Sequence, residues 1–341
     1  MRVRSPLSRL AAALMVSALA LPAGAFARSV EESAAQPDLE QVLGQGRVAL
    51  QGGDFSAALA AFRLAAGEGS AHAFVALGEL SEHGLGVARD EKQAVTLYRR
   101  GLAAGDAEGG ARLGLLLFTR ASAGQETKHG ARDVFEGLDL IRRAAAQGNA
   151  FGQYALGTLY LNGTAMPHDT DMARRLLEAA AAQDLALAQS ALGQMYLDGR
   201  GVQPHPGMAV ELLTEAARKG DVPAQTRLGV LYRDGWGAER HDAEAAYWFE
   251  RAADRGDAEA MGHLAQMLLE GREIRADLAK AVALLRESAK AGYAPAQYQL
   301  GLSLLEGRGV LQDREQGLRW IREAVGKGYA DARKFMELAK Q

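Results

Sequence analysis

The chain has 341 residues, a formal net charge of −3 at neutral pH and no cysteine. The lack of cysteine excludes disulfides, Cys-ligated zinc, iron–sulfur clusters and the acylated cysteine of a bacterial lipoprotein. The near-neutral charge argues against a basic surface for nucleic acid, so neither a lipid anchor nor a nucleic-acid partner is expected.

The first segment of the chain has the features of an export signal. Three arginines within the first nine residues precede a twelve-residue apolar run (10–21) that is interrupted only by Ser17, and an Ala-x-Ala site ends at Ala27. This order predicts a secretory signal peptide over residues 1–27. A run of this length is shorter than the ~20 residues that span a bilayer, so no integral membrane segment is expected after cleavage. We predict a periplasmic protein, with secretion as the alternative.

Two segments follow the predicted signal peptide. Residues 28–37 have no hydrophobic periodicity and are predicted to be a flexible tail. Residues 38–69 resemble a tetratricopeptide-like helical hairpin, with Gly52 and Gly53 between two apolar stretches. This extra hairpin is expected to cap the N-terminal end of a longer array.

The rest of the chain repeats itself. The dipeptide Leu-Gly, or Leu-Ala once, recurs with a spacing of 36 residues, apart from one spacing of 43. The second residues of these dipeptides, here called the anchor positions, are Gly78, Gly114, Gly157, Gly193, Gly229, Ala265 and Gly301. One period therefore holds throughout, with a single seven-residue insertion near residues 119–131.

Each repeat carries the same features at fixed distances from its anchor. A glycine six residues later predicts the left-handed position that ends a first helix. An aspartate in the next segment predicts the N-cap of a second helix; these aspartates are Asp90, Asp133, Asp169, Asp277 and Asp313. Large residues predicted to pack from the second helix are Leu97, Leu140, Leu176, Leu212, Trp248, Leu284 and Trp320. Such a hairpin buries its apolar face only against its neighbours, which predicts a solenoid.

These motifs resemble the Sel-one-like repeats, relatives of the tetratricopeptide repeat. Residues 188–220 and 224–256 are similar to the family pattern, and seven such repeats cover residues 70–328. The resemblance implies an all-α, right-handed α/α solenoid of about eight helical hairpins with a C-terminal capping helix over residues 329–341. It also implies a protein-binding adaptor without a universal catalytic residue.

The polar residues give little sign of catalysis or metal binding. His168, His205 and His241 lie at nearly equivalent loop positions of successive repeats, and the latter two occupy the N-cap position. Layers of packed helices lie about 8–10 Å apart, whereas two ligands of one zinc ion lie within about 4 Å of each other. The chain has neither an S-x-x-K motif nor a phosphate-binding loop. We therefore predict no enzyme, no metal and no cofactor; a hydrolase of β-lactamase type is the less favoured alternative.

A polar stripe along the first helices is the candidate binding surface. Its members are predicted to touch a protein or peptide partner and are Tyr154, Gln189, Gln194, Gln225, Arg233, Gln266 and Tyr298. For the glutamines that precede the anchors, the competing interpretation is a solvated helix face or a hydrogen-bond ladder between turns. The insertion over residues 119–131 is equally well explained as a recognition loop or as a tolerated surface loop.

The predicted function is that of a periplasmic scaffold that binds a protein or peptide segment in its groove. The resemblance points first to envelope assembly or exopolysaccharide regulation, since exported family members include such factors. The alternative is a secreted factor that binds host proteins.

Overall fold

The computed structural model describes residues 38–122, 130–271 and 274–339. The predicted signal peptide and tail, and the centre of the insertion, lie outside these residues. The described part contains seventeen α-helices and no strand, which confirms the all-α prediction. The helices form eight antiparallel hairpins followed by a single helix.

The helix bounds follow the repeat. The first four hairpins are α1 (Leu39–Gln51) with α2 (Phe55–Gly67), α3 (Ala71–His83) with α4 (Glu91–Ala103), α5 (Ala107–Ser122) with α6 (Gly130–Ala146), and α7 (Ala150–Asn162) with α8 (Thr170–Ala181). The second four are α9 (Ala186–Asp198) with α10 (Pro206–Arg218), α11 (Val222–Asp234) with α12 (Asp242–Ala253), α13 (Ala258–Glu270) with α14 (Leu278–Lys290), and α15 (Ala294–Glu306) with α16 (Arg314–Gly326). The final helix is α17 (Ala330–Leu338). Helices α5 and α6 therefore extend into the insertion from both sides.

Local sequence explains where most of these helices begin and end. The predicted glycines end six first helices in the left-handed conformation, with φ between 62° and 70°. Four of the five predicted aspartates accept a backbone N–H at the start of a second helix, and the Nδ1 atoms of His205 and His241 do the same. Asp133 was predicted wrongly as an N-cap: α6 begins at Gly130, so Asp133 lies inside its first turn.

The hairpins close around the anchor glycines. A Cβ atom added to Gly229 would lie 2.6 Å from the Phe249 ring, and one added to Gly193 would lie 2.9 Å from Leu213. The facing residues form the centre of the core; they are Tyr98, Ile141, Leu177, Leu213, Phe249, Leu285 and Ile321, each at most 1% exposed. Each stands one position after the large residue predicted to pack there. The earlier residue, such as Leu97, is generally only partly buried at the flank of the interface.

The first helices line the inner side of the curved stack. In the described part of the chain, first helices of consecutive repeats contact one another more extensively than second helices do. In a curved array the layer with closer neighbours is the inner one. The inner face is therefore built from α3, α5, α7, α9, α11, α13 and α15, with α17 closing its C-terminal end. No helix among the described residues combines the length and the apolar character that a membrane span requires.

Side chains also tie each repeat to the one before it. Three residues that follow second helices donate to a turn carbonyl 35 residues earlier: Gln183 to Gly148, Lys219 to Asp184 and Arg255 to Gly220, over 2.8–3.1 Å. In the long loops, Arg200 and Arg308 donate to a carbonyl 39 residues earlier, at Leu161 and Leu269. These bonds satisfy carbonyls at helix ends and fix the register between neighbouring repeats.

Candidate functional site

A cavity of about 770 Å³ opens on the inner face of the C-terminal half of the solenoid. Its lining comes from α11, the start of α12, α13, α15, α17 and the loops between them. The residues that matter for its chemistry are Arg233, Asp234, His263, Gln266, Tyr293, Gln299, Tyr329 and Asp331. They come from segments roughly one period apart, so stacking of repeats creates this cavity.

Arg233 is fixed in the cavity wall by three side-chain contacts. Its Nε and Nη2 atoms donate to the two carboxylate oxygens of Asp234, at 2.7 and 3.0 Å. Its Nη1 atom lies 3.0 Å from Nδ1 of His263. Since a guanidinium can only donate, Nδ1 of His263 is the acceptor in this contact. The bidentate pair raises the pKa of Arg233 and lowers the pKa of Asp234, so both remain charged at neutral pH.

His263 is held between rings and a carboxylate. Its ring centroid lies 5.1 Å from that of Phe249 and 6.3 Å from that of Tyr293. Its Nε2 atom lies 3.6 Å from Glu259 Oε1. The hydrogen bond with His263 lowers the pKa of Glu259. The imidazole is therefore a positioned polar group in the wall of the cavity.

Two tyrosines replace capping residues at the mouth of the cavity. Tyr293 and Tyr329 occupy the N-cap positions of α15 and α17 and make no side-chain cap bond. The Tyr293 ring lies directly over Gly262, where an added Cβ would be 2.7 Å from the ring. The Tyr329 hydroxyl donates to Asp331 Oδ2 over 3.0 Å. Burial raises the pKa of Tyr293 to about 12, and burial also raises that of Tyr329, so both hydroxyls keep their protons at neutral pH.

The arrangement is suited to binding. The wall offers aromatic rings, hydroxyl donors, a fixed guanidinium and the amides of Gln266 and Gln299. Among the described residues, this lining includes no serine, threonine or cysteine that could serve as a nucleophile. Across the described residues, no group of three or more His, Asp or Glu side chains is arranged to hold a metal ion. The groups present can recognise amide bonds and an aromatic or charged side chain of a ligand.

The sequence of the repeat identifies the family to which the chain belongs. A family model described as Sel1 repeat matches seven consecutive segments, at residues 58–106, 112–149, 150–185, 186–221, 222–257, 258–293 and 294–329. The chain belongs to the Sel1 repeat family. Sel1 repeat proteins are in general protein-interaction scaffolds, and the family fold is non-catalytic. The comparison with curated proteins found no match.

Two solved structures are similar over most of the chain. A Sel1 repeat protein from Oxalobacter formigenes is 26% identical, with a TM-score of 0.58, over 93% of this chain and 92% of that one. A protective antigen present in uropathogenic Escherichia coli strains, which displays an SLR fold, is 28% identical, with a TM-score of 0.57. The match covers 89% of this chain and 65% of the antigen, so this Sel1 repeat protein spans just under two thirds of the antigen's length.

The structure brings two of the seven predicted partner-binding residues into the cavity. Arg233 and Gln266 both line it, and Gln266 Nε2 donates to Glu270 over 3.0 Å. Gln194 lies outside it, on the inner face, and donates to Asp198 over 2.7 Å. Tyr154 packs between two core clusters, with its ring 5.8 Å from that of Phe151. Tyr298 packs against Tyr329 and Phe335.

The remaining two predicted residues are glutamines with intramolecular partners. Gln225 is 1% exposed and donates to Ala217 O over 3.0 Å. Gln189 is 7% exposed and accepts from Lys219 Nζ over 2.8 Å. Gln297, at the same repeat position, donates to Ala289 O over 3.1 Å. These contacts correspond to the hydrogen-bond ladder, so we leave Gln189 and Gln225 out of the proposed peptide-binding surface.

His263, Tyr293 and Tyr329 were not predicted from the sequence as site residues. A signal for the tyrosines was nevertheless present. The N-cap position of first helices carries a side chain that accepts an N–H bond in most repeats, such as Asp221 and Asp257. Replacing such a cap costs about 1 kcal/mol of stability, so the two successive tyrosines depart from the pattern of most repeats at this position.

Proposed function

We propose that this Sel1 repeat protein is a non-enzymatic scaffold of the bacterial periplasm that binds a peptide segment of a protein partner in the inner-face cavity. The observation that carries the proposal is the convergence of Arg233, Tyr293 and Tyr329 on one cavity from three successive repeats. Aromatic and arginine side chains dominate the binding energy of many protein interfaces. The amides of Gln266 and Gln299 supply adaptable partners for the backbone of an extended peptide.

The proposed process is the regulation or assembly of an envelope or exopolysaccharide system. Support comes from the predicted export signal together with the family resemblance. A scaffold in this compartment has to keep its own fold without disulfides, because the chain has no cysteine. The repeat architecture meets that requirement, since the fold is stabilised by the stacking of neighbouring units.

Peptide binding can be tested without a known partner. Peptides selected against the purified protein from a displayed random library should bind the wild type, as measured by isothermal titration calorimetry. The double variant Tyr293→Ala with Tyr329→Ala should weaken this binding at least tenfold, or about 1.4 kcal/mol, because it removes both aromatic walls. Circular dichroism should show unchanged helix content.

The matched control for this test is Phe135→Ala. Phe135 is an aromatic residue on the outer helix α6 and is 75% exposed, so its truncation should leave the affinity within twofold of the wild type. Selected peptides that bind the tyrosine variant as tightly as the wild type would place recognition elsewhere on the solenoid.

The compartment has its own test. N-terminal sequencing of the protein isolated from its native host should begin at Arg28, within a few residues, and the protein should be found in the periplasmic fraction. Signal peptidase cleaves after small residues such as Ala27, which is the physical basis of this expectation. An intact Met1 in the cytoplasmic fraction would contradict the proposal.

The alternative is a secreted protein that contacts host proteins. The observation in its favour is the likeness to the protective antigen of uropathogenic Escherichia coli strains. Recovery of the processed protein from the culture medium, at the expense of the periplasmic fraction, would favour this alternative.

A further inference from the structure

The superhelix brings the N-terminal hairpin opposite the middle of the chain. The turn between α1 and α2, at Gln51–Gly53, faces the turn between α10 and α11, at Lys219 and Val222, across an open cleft. The two sides share no hydrophobic cluster among the described residues. The cleft is therefore a gap between successive turns of the superhelix, separate from the inner-face cavity around Arg233.

Two connected spaces form this inter-turn cleft. The first has a volume of about 850 Å³ and is apolar on the N-terminal side, where Leu50, Phe55 and Leu85 line it. The second has a volume of about 560 Å³ and is lined on the opposite side by Arg218, Lys219, Arg251 and Arg255. Gln51, Lys219, Asp254 and Arg255 line both spaces, which makes the cleft continuous.

The charge of the second space contrasts with that of the whole chain. Four cationic side chains and one carboxylate, Asp254, line it, whereas the chain carries a net charge of −3. Arg218 pairs with Glu215, and Lys219 pairs with Asp184. Arg251 donates to the Tyr247 hydroxyl over 3.3 Å, and Arg255 donates to Gly220 O over 2.8 Å. Neither guanidinium forms an ion pair with a carboxylate of the described residues, so both can donate to a carboxylate of a ligand.

A buried acceptor lies in the same wall. Gln225 is 1% exposed, lines the basic space and has an Oε1 atom without a hydrogen-bond partner among the described residues. At the same position of the preceding repeat, Gln189 Oε1 accepts from Lys219 Nζ. Arg255, the equivalent of Lys219 one repeat later, points to Gly220 O instead. Arg255 therefore lines the cleft without bonding to Gln225, which leaves its guanidinium available to a ligand carboxylate.

From this juxtaposition we infer that the inter-turn cleft binds an acidic peptide segment that carries apolar side chains. Carboxylates of the segment pair with Arg251 and Arg255, and its apolar side chains lie against Leu50, Phe55 and Leu85. The inference is independent of the proposed function of the inner-face cavity, because the two sites share no lining residue.

The test uses a fluorescein-labelled peptide of ten residues in which glutamate alternates with leucine, and fluorescence anisotropy on the full chain. The wild type should bind this probe, and affinity should fall as salt rises from 0.05 to about 0.5 M, because charge screening weakens exposed ion pairs. The variant Arg251→Glu with Arg255→Glu should bind at least tenfold more weakly. The variant Phe55→Ala with Leu85→Ala should weaken binding while leaving most of its salt dependence.

The matched control is Arg142→Glu with Arg175→Glu, which makes the same charge change at exposed positions of α6 and α8. It should bind the probe within twofold of the wild type. Equal losses in the control and cleft variants would overturn the inference. So would equal binding of a probe with glutamine in place of glutamate, or equally effective displacement by poly-glutamate or inorganic phosphate. Binding of the wild type to phosphatidylglycerol vesicles without binding of the peptide would also overturn it.

Discussion

Replacement of Arg112 by methionine should destabilise the protein by about 2–4 kcal/mol. Arg112 connects three consecutive first helices: it pairs with Glu79 on α3 and Glu108 on α5, and its guanidinium carbon lies 4.1 Å above the Phe151 ring on α7. Methionine fills a similar volume but leaves two partly buried carboxylates without their cation. Removal of one partner from a buried ion pair typically costs 3–5 kcal/mol, and residual solvent access reduces this value.

The loss in the Arg112→Met variant should depend on pH. Burial already raises the pKa of Glu79 above its ordinary value, and Arg112 opposes that rise. Without Arg112 the folded-state pKa rises further, while the unfolded-state pKa stays the same. Below the unfolded pKa both states are protonated and the penalty is small; it grows as pH rises through the window up to the folded pKa. Urea unfolding at pH 4 and pH 7 should therefore give a smaller difference from wild type at pH 4.

A second variant separates charge from packing. Arg112→Met combined with Glu79→Gln removes one of the stranded charges and should recover part of the stability at pH 7. A single Arg112→Met variant that is as stable as the wild type at both pH values would show that the cluster contributes nothing to the solenoid.

Replacement of Gly229 by alanine should destabilise the protein by about 1–3 kcal/mol. The added methyl group would lie 2.6 Å from the Phe249 ring, and this ring is fully buried at the crossing of α11 and α12. Overpacking of this kind forces side chains or the backbone out of their preferred positions. The midpoint of urea unfolding measured by circular dichroism should fall accordingly.

Gly44→Ala is the matched control for this substitution. Gly44 also lies inside a helix, α1, but an added Cβ meets no atom within 4 Å. Alanine should raise stability there by roughly 0.4–1 kcal/mol, because it restricts the unfolded chain without a clash. Equal changes in stability for Gly229→Ala and Gly44→Ala would contradict the close approach of the Phe249 ring to Gly229. A smaller facing residue, as in Gly229→Ala with Phe249→Leu, should restore part of the loss.

The sequence predicted the hairpins well because their determinants are local. A glycine in the left-handed conformation and an aspartate at an N-cap act on their own few residues, so Gly235 and Asp169 could be placed from spacing alone. At Asp133 the same reasoning gave a wrong N-cap, because the insertion lies between the anchor and the helix. Spacing counted across an insertion does not say where the helix resumes, and α6 starts three residues before that aspartate.

The core was predicted to within one position. Leu97 and Tyr98 are neighbouring large residues, and periodicity alone does not decide which one faces the anchor glycine. The crossing angle of the two helices decides it, and the structure places the Tyr98 ring against Gly78. The hydroxyl of this buried ring donates to Glu82 over 2.6 Å, which satisfies its polar end.

The candidate site was predicted only in fragments. Arg233 and Gln266 were found as members of a stripe, but His263 and the two tyrosines belong to other helical positions. They converge through the stacking of successive repeats, which a one-dimensional period does not describe. The glutamines were overpredicted as binding residues. A polar side chain on a first helix can donate to a carbonyl at the end of the preceding second helix, as Gln225 on α11 does to Ala217 on α10.

The gap between successive turns makes the solenoid extensible along its superhelical axis. Each hairpin is bonded to its neighbour, but the N-terminal hairpin and the turn at Lys219 share no core among the described residues. A small rotation at every intervening interface therefore adds up to a large change in the width of the gap, while no single interface has to break. Fluorophores attached at Gln51 and Asp254 should report the changing width of the gap as a distribution of energy-transfer efficiencies. Tension on the ends should widen the gap before any helix unfolds.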